Sequence, residues 1–232
     1  MKKGVLIAVA VVAAAALGFL LQQRAHRENA GPANQTASAP AAAATPGSEP
    51  AAKKIPETVP DIELADRDNK KRRLSEWAGR PLMVNFWATW CAPCRREIPL
   101  LNQVHAQRAG QKLEIIGIAV DFRDDVLKYA KETNISYPLL IGEEDGLAAV
   151  SAFGMEPNFP FTVFADSRQR LVALKVGELH QEEIDLILNR VVALDAGQLD
   201  LPAARQQISE GLKQIATKRA ALPPESPKLS AN

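Results

Sequence analysis

The sequence predicts an α/β domain built on one mixed β-sheet with helices on both faces. Three observations carry that expectation. Strand-like and helix-like patterns alternate between residues 82 and 153. Two strand patterns joined by a polar turn follow at 161–165 and 171–176. Apolar residues make up 47% of the 232-residue chain, enough for a sizeable core in one segment.

The elements read in order as follows. Ile62-Glu63-Leu64 is a short edge strand, and Asp66 to Lys70 carries turn chemistry. Lys70-Lys71-Arg72-Arg73 is a short basic cluster, read as a solvated loop. Ser75 opens a helical turn around Trp77. Leu82 to Trp87 is a central strand, and Pro93 to about Arg108 is a helix with Ile98, Leu101 and Val104 on one face. Leu113 to Val120 is a buried, β-branched strand. Asp124 to Thr133 is a helix that turns Val126, Leu127 and Ala130 inward. Pro138 to Ile141 is a short strand, and Asp145 to Phe153 is helical. Gln181 to Leu194 closes the domain, with Ile184, Ile187, Leu188 and Val191 on one face. From Leu201 to about Ala221 another helix aligns Leu201, Ala204, Ile208, Leu212 and Ile215, and packs on its own domain or serves as a docking helix.

The N-terminal quarter differs in kind. Residues 1–3 are a short basic N-terminus, and residues 4–21 are uncharged. As a helix, 4–21 spans roughly 27 Å, close to a bilayer core of about 30 Å. It reads as an uncleaved transmembrane signal anchor or as a signal peptide cut near Ala14–Ala16; the apolar run Leu17-Gly18-Phe19-Leu20-Leu21 favours the anchor. A basic N-terminus on the cytoplasmic side places the rest of the chain outside the cytoplasm. Residues 22–54 are rich in Ala, Pro, Ser and Thr and hold few large apolar side chains, so they read as a disordered linker. Such a tether reaches roughly 30 Å.

Charge is nearly balanced, with 28 basic and 27 acidic residues. No block of basic residues interleaved with aromatics occurs, so a nucleic-acid partner has no electrostatic support. The two cysteines both fall in Trp90-Cys91-Ala92-Pro93-Cys94. That count is too small for a disulfide-stapled scaffold or for a structural zinc site. A C-x-x-C at a helix start is reactive instead. Unpaired N–H groups and the helix dipole favour a thiolate on Cys91, and Cys94 lies one turn later. Pro93 fits the first turn, where its missing N–H costs nothing. Cys91 is then the exposed nucleophile and Cys94 the more buried resolving thiol. Arg95 and Arg96 add positive potential or are solvated, and Trp90 forms part of the rim. A second reading is a copper-binding chaperone that uses the same pair, since thiolates suit soft metals.

The segment Asn85-Phe86-Trp87-Ala88-Thr89-Trp90-Cys91-Ala92-Pro93-Cys94-Arg95-Arg96-Glu97-Ile98-Pro99 closely resembles the active-site segment of the TlpA/ResA-like branch of the thioredoxin superfamily. Leu74 to Pro81 also resembles that family's approach to its first core strand. The resemblance spans about residues 55–194 and leaves 195–232 as a C-terminal helix and tail. It implies a thioredoxin-like fold with an added N-terminal hairpin and an inserted helix–strand unit at about 121–152. It implies a thiol–disulfide oxidoreductase, anchored in the membrane and facing the periplasm, that needs no cofactor beyond its redox-active cysteines. Its partners would be protein disulfides, such as those of apocytochrome c or copper-site proteins, and a membrane electron donor. Asn158-Phe159-Pro160-Phe161-Thr162 matches the family's cis-proline loop, with Pro160 as that proline. Phe159 stands where many relatives have a small polar residue. Glu97 matches the acidic position of C-x-x-C-x-x-E, a candidate proton carrier if partly buried. Asn85 holds the position where thioredoxin itself usually has an acid, and it cannot titrate. The related peroxiredoxin branch sets its reactive cysteine in a different context.

Overall fold

The computed structural model describes residues 54–221 apart from 109 and 111. The expected membrane helix at 4–21, the linker up to residue 53 and residues 222–232 lie outside the described residues. No helix among the described residues is long and apolar enough to cross a membrane.

The sheet is built outward from β3, Leu82–Trp87, all six of whose residues are buried. β3 runs parallel to β4, Glu114–Ala119, from Leu82↔Glu114 to Trp87↔Ala119. Its other edge takes β6, Phe161–Ala165, antiparallel. A strand paired on both edges and covered on both faces is expected to be apolar throughout. Asn85 is the exception, and the active site explains it. β5, Leu139–Ile141, adds parallel to β4. β7, Leu171–Val176, adds antiparallel to β6. The hairpin of β1, Glu63–Asp66, and β2, Lys71–Arg73, closes the other side. The seven-stranded order is β2-β1-β5-β4-β3-β6-β7, a mixed sheet.

Side chains alternate between two cores, as the period of two in a strand requires. Met83 and Trp87 of β3, with Ile115 and Ala119 of β4, face one core. There they meet Ile98, Leu101 and Val104 of α1, Ala92–Arg108. Val126 and Ala130 of α2, Arg123–Glu132, join them, while Leu127 is half-buried at the margin. Ile184, Ile187 and Val191 of α4, Gln181–Asp195, complete this layer. Leu82, Val84 and Phe86 face the opposite core, where they meet Leu74, Trp77 and the α3 helix, Glu144–Ala152, through Ala149 and Val150. Phe86 stacks on Phe161 at 4.4 Å between centroids and meets Phe153 edge-on at 5.3 Å. Helices therefore cover both faces, and α2, β5 and α3 fall within residues 123–152.

The basic cluster is not a solvated loop. Lys71–Arg73 forms the edge strand β2, and each of its cations meets a carboxylate. Arg72 Nε donates to Glu76 at 2.6 Å, Arg73 Nε donates to Asp61 at 2.9 Å, and Lys71 lies 3.8 Å from Asp145. Glu76 lies four residues on from Arg72, but Asp61 and Asp145 meet β2 only in the fold, and three residues are too few to show a strand period. A charged edge strand also discourages pairing with another sheet.

Beyond the domain expected from the resemblance, α5, Leu201–Ala220, starts at Asp200, whose side chain accepts from the Ala203 N–H at 2.8 Å. It packs back on the domain. Ala204 and Ile208 are buried, Leu212 and Ile215 are half-buried, and the Arg205 guanidinium donates to the Leu171 carbonyl at 2.6 Å. Ile208→Ala is expected to lower unfolding stability by about 2–3 kcal/mol, because it removes buried methylenes and leaves a cavity. Urea unfolding measures this; a midpoint equal to wild type would mean that α5 is not part of the cooperative unit.

Candidate active site

β3 delivers the chain to the site, and the loop Ala88–Trp90 turns it into α1. Two contacts hold that loop. The Cys91 N–H donates to the Ala88 carbonyl at 3.2 Å. Asp121, just past β4, accepts from the Thr89 N–H at 2.8 Å, from the Thr89 hydroxyl, and from the Phe122 N–H at 2.8 Å. The carboxylate thus clips the loop before Cys91 to the end of the neighbouring parallel strand.

Cys91 and Cys94 form a disulfide at the start of α1, with an S–S distance of 2.01 Å. The Cys94 N–H also points at Cys91 Sγ, at 3.3 Å. An N–H of the first helical turn aimed at this sulfur is the arrangement that stabilises a thiolate there after reduction. Cys94 has no exposed surface, while Cys91 retains 5%. The order of burial is the expected one, but Cys91 is not an exposed side chain in the oxidised pair. Pro93 is half-buried in the first turn of α1. Arg95 and Arg96 are both exposed. Arg96 is occupied by Glu178, its Nε donating to the carboxylate at 2.8 Å.

One turn into α1, Glu97 is 1% exposed. Its Oε1 accepts from Asn85 Nδ2 at 2.7 Å, and its Oε2 accepts from the Leu179 N–H at 2.8 Å. Asn85 Nδ2 also donates to Thr162 Oγ1 at 2.9 Å. Burial pushes the Glu97 carboxyl up from its ordinary value of 4.5 to about 7, although the two donors favour its charged form. It therefore changes protonation state near neutral pH, and it lies three residues from Cys94 on the same helix.

The Phe159–Pro160 peptide bond is cis, and Pro160 is buried. The Pro160 carbonyl accepts from the Gly177 N–H at 2.8 Å, which fixes the loop against the end of β7. Among the described residues nothing pairs with the backbone N–H or carbonyl of Phe159. The Phe159 ring is half-buried, 6.1 Å from Trp90 and 6.3 Å from Phe161. Trp90 is 67% exposed, so it forms the rim. No group of three or more His, Cys, Asp or Glu among the described residues is placed to hold a metal ion.

All seven candidate residues lie at one end of the sheet: Trp90, Cys91, Pro93, Cys94 and Glu97 in the loop and α1, and Phe159 and Pro160 in the loop before β6. Sequence reasoning missed Asp121 and Thr162, and it treated Asn85 only as a group that does not titrate. Signals exist for two of them. Asn85 and Thr162 are polar positions inside otherwise apolar strands. Asp121 looks like any acid that follows a strand.

A family model described as the AhpC/TSA family matches residues 55–157. The thiol-disulfide oxidoreductase ResA of Geobacillus thermodenitrificans is 30% identical over 128 residues, 55% of this chain and 72% of that protein. ResA of Geobacillus kaustophilus is 30% identical over 135 residues, 58% of this chain and 76% of that protein. Among solved structures, a thiol:disulfide interchange protein of the thioredoxin family from Chlorobium tepidum superposes with a TM-score of 0.52 at 28% identity. The match covers 60% of this chain and 96% of that one.

Two outcomes follow from the geometry. The folded chain holds the Glu97 proton more tightly than the unfolded chain, so between about 4.5 and about 7 it carries more protons there. Stability from this group is flat below 4.5 and falls by about 3 kcal/mol as pH rises through that window. Glu97→Gln removes this slope; urea unfolding of the oxidised protein across pH 4–8, compared with wild type, measures the difference. Asp121→Ala strands the Thr89 N–H, and a loss of about 1–3 kcal/mol is expected in the same assay.

Proposed function

The chain belongs to the ResA-like family of thiol-disulfide oxidoreductases, and from that premise we propose that it reduces disulfides in extracytoplasmic partner proteins while tethered to the cytoplasmic membrane. The observation that carries the redox reading is the Cys91–Cys94 disulfide at the head of α1, with the Cys94 N–H on Cys91 Sγ and a buried titrating carboxyl one turn below.

In this reading the reduced enzyme attacks with the Cys91 thiolate on one sulfur of a substrate disulfide. A mixed disulfide forms, and the other substrate sulfur leaves as a thiolate that takes a proton from solvent. Cys94 then gives up its proton, and its thiolate attacks Cys91 Sγ. The second substrate sulfur is released as a thiolate, also protonated by solvent, and Cys91–Cys94 closes as a disulfide. Two electrons have moved from the enzyme to the substrate. Glu97 takes the Cys94 proton in this step and returns one when the pair is reduced again. Its pKa near 7 suits both directions. Trp90, Pro93, Phe159 and Pro160 form the surface against which the substrate lies. The free backbone of Phe159 supports strand-like pairing with an extended substrate segment.

The location rests on sequence. The uncharged stretch 4–21 serves as a signal anchor with residues 1–3 in the cytoplasm, and 22–54 as the linker that lets the domain reach its partners. Disulfides of partner proteins persist on that side of the membrane. A membrane-bound donor re-reduces the pair. Apocytochrome c and copper-site proteins are the substrate classes that the family resemblance points to.

Reduction of insulin disulfides tests the core of this reading. Cys91→Ser and Cys94→Ser should each lose the activity, and full activity in both would overturn it. Cys94→Ala should accumulate a mixed disulfide through Cys91, identified by mass spectrometry from the extracytoplasmic fraction. Glu97→Gln should slow closure of the Cys91–Cys94 disulfide by roughly a hundredfold near pH 7 and flatten its pH dependence, read by stopped-flow kinetics.

A further inference from the structure

Six large apolar side chains are exposed among the described residues, and three of them share one groove: Trp90 at 67%, Phe122 at 61% and Leu147 at 44%. The groove has a volume of about 480 Å³, and Val120, Pro157 and Phe159 complete its apolar wall. Clustered exposed apolar surface of this kind marks an interaction site. Its position is specific. Trp90 adjoins Cys91, Phe159 precedes cis-Pro160, Val120 to Phe122 follow β4, and Leu147 lies in α3 just past β5. The groove thus opens at the carboxyl ends of the three parallel strands, where open α/β sheets take their ligands. Trp90, on its wall, is the residue next to Cys91 of the redox pair.

Charge gives the groove a polarity. Asp121, Glu143 and Glu144 line it, and no Lys or Arg does. Asp121 is buried and engaged with Thr89 and Phe122. Glu143 and Glu144 are exposed, and neither meets a cation among the described residues. Two unneutralised carboxylates beside an apolar wall complement a cation on the bound partner.

We propose that this groove docks an extended segment of the protein substrate, with a large apolar side chain near the reactive cysteine and a Lys or Arg beyond it. The proposal rests on the disulfide-exchange reading above and names the kind of substrate that the site selects. The apolar side chain lies against Phe122 and Leu147, the basic one reaches Glu143 and Glu144, and the Phe159 backbone pairs with the segment between.

The test uses the pre-reduced full chain in single turnover against eight-residue peptides. Each peptide holds one cysteine in disulfide linkage with 2-mercaptoethanol. Phe or Ala sits two positions before or after that cysteine, and Lys or Glu sits beyond. In one orientation the Phe/Lys peptide should react roughly tenfold faster than Ala/Lys, as expected from burying an aromatic ring. It should react several-fold faster than Phe/Glu at low salt, and this second ratio should shrink as salt rises. Phe122→Ala combined with Leu147→Ala should bring the Phe-to-Ala ratio close to one. Glu143→Lys combined with Glu144→Lys should invert the Lys-to-Glu ratio. Each ratio compares two peptides on the same variant, so a general loss of folding or of thiol reactivity cancels. Equal rates for Phe and Ala peptides in both orientations would overturn the proposal, as would a Phe preference that survives the first double variant. A Lys preference that survives the second would remove the basic residue from it. Failure of the underlying reading looks different: wild type would then reduce neither the peptides nor hydroxyethyl disulfide.

Discussion

A carboxyl group buried three residues along α1 from a disulfide cysteine is the constraint on which the rest of this structure turns. Glu97 has almost no exposed surface, and an isolated carboxyl in an apolar core is costly. It is tolerated because two donors reach it. Asn85 comes from the central strand, and the Leu179 N–H comes from the turn before α4. Asn85 reaches on to Thr162 in β6. Four segments of the chain therefore meet at one hydrogen-bonded cluster on the core face that carries α1. Removing any partner leaves a buried polar group without its bond, a larger loss than the bond itself contributes.

That cluster links fold to chemistry. Thiol–disulfide exchange moves a proton each time a thiol becomes a thiolate. Burial pushes the Glu97 carboxyl, three residues on from Cys94, up to about 7, and in the proposed reading it takes up and returns that proton. Asp121 also is buried; it accepts three hydrogen bonds and holds the loop that delivers Cys91. Gly117 lies in β4, between the two acids in sequence. A side chain there would press within 2.6 Å of Leu139 and 3.1 Å of the Trp87 indole, so β4 passes bare beneath the ring.

The surface around the site is divided by the same architecture. The α2–β5–α3 insertion brings Phe122, Glu143, Glu144 and Leu147 to the mouth of the groove beside Trp90. The groove beside Trp90 is lined by apolar and acidic side chains. At the edge of the sheet, β2 carries Lys71, Arg72 and Arg73, each matched by a carboxylate, and Lys71 reaches Asp145 of α3. A charged, paired edge suits a strand that must not associate.

Local patterns were sufficient for the strands β3 and β4, the helices α1 and α4, and the cysteine pair, because apolar periodicity and the C-x-x-C spacing are carried by neighbouring residues. The resemblance in residues 85–99 and 158–162 singled out Glu97 and Pro160 as candidates; the structure buries the first and sets the second after a cis bond. The strand β2 was not legible, since its three residues show no period and two of its carboxylate partners, Asp61 and Asp145, lie elsewhere in the chain. The roles of Asp121 and Thr162, and of Asn85 as a donor to Glu97, were not legible either. Each depends on a partner between 12 and 77 residues away. The sequence by itself determined which residues do sulfur chemistry and on what kind of fold. Only the tertiary structure decided that Glu97 is dry, that Cys91 is covered while oxidised, and that Trp90 opens onto an apolar, acidic groove. Burial and hydrogen-bond partners are set by segments distant in sequence, and no local pattern encodes them.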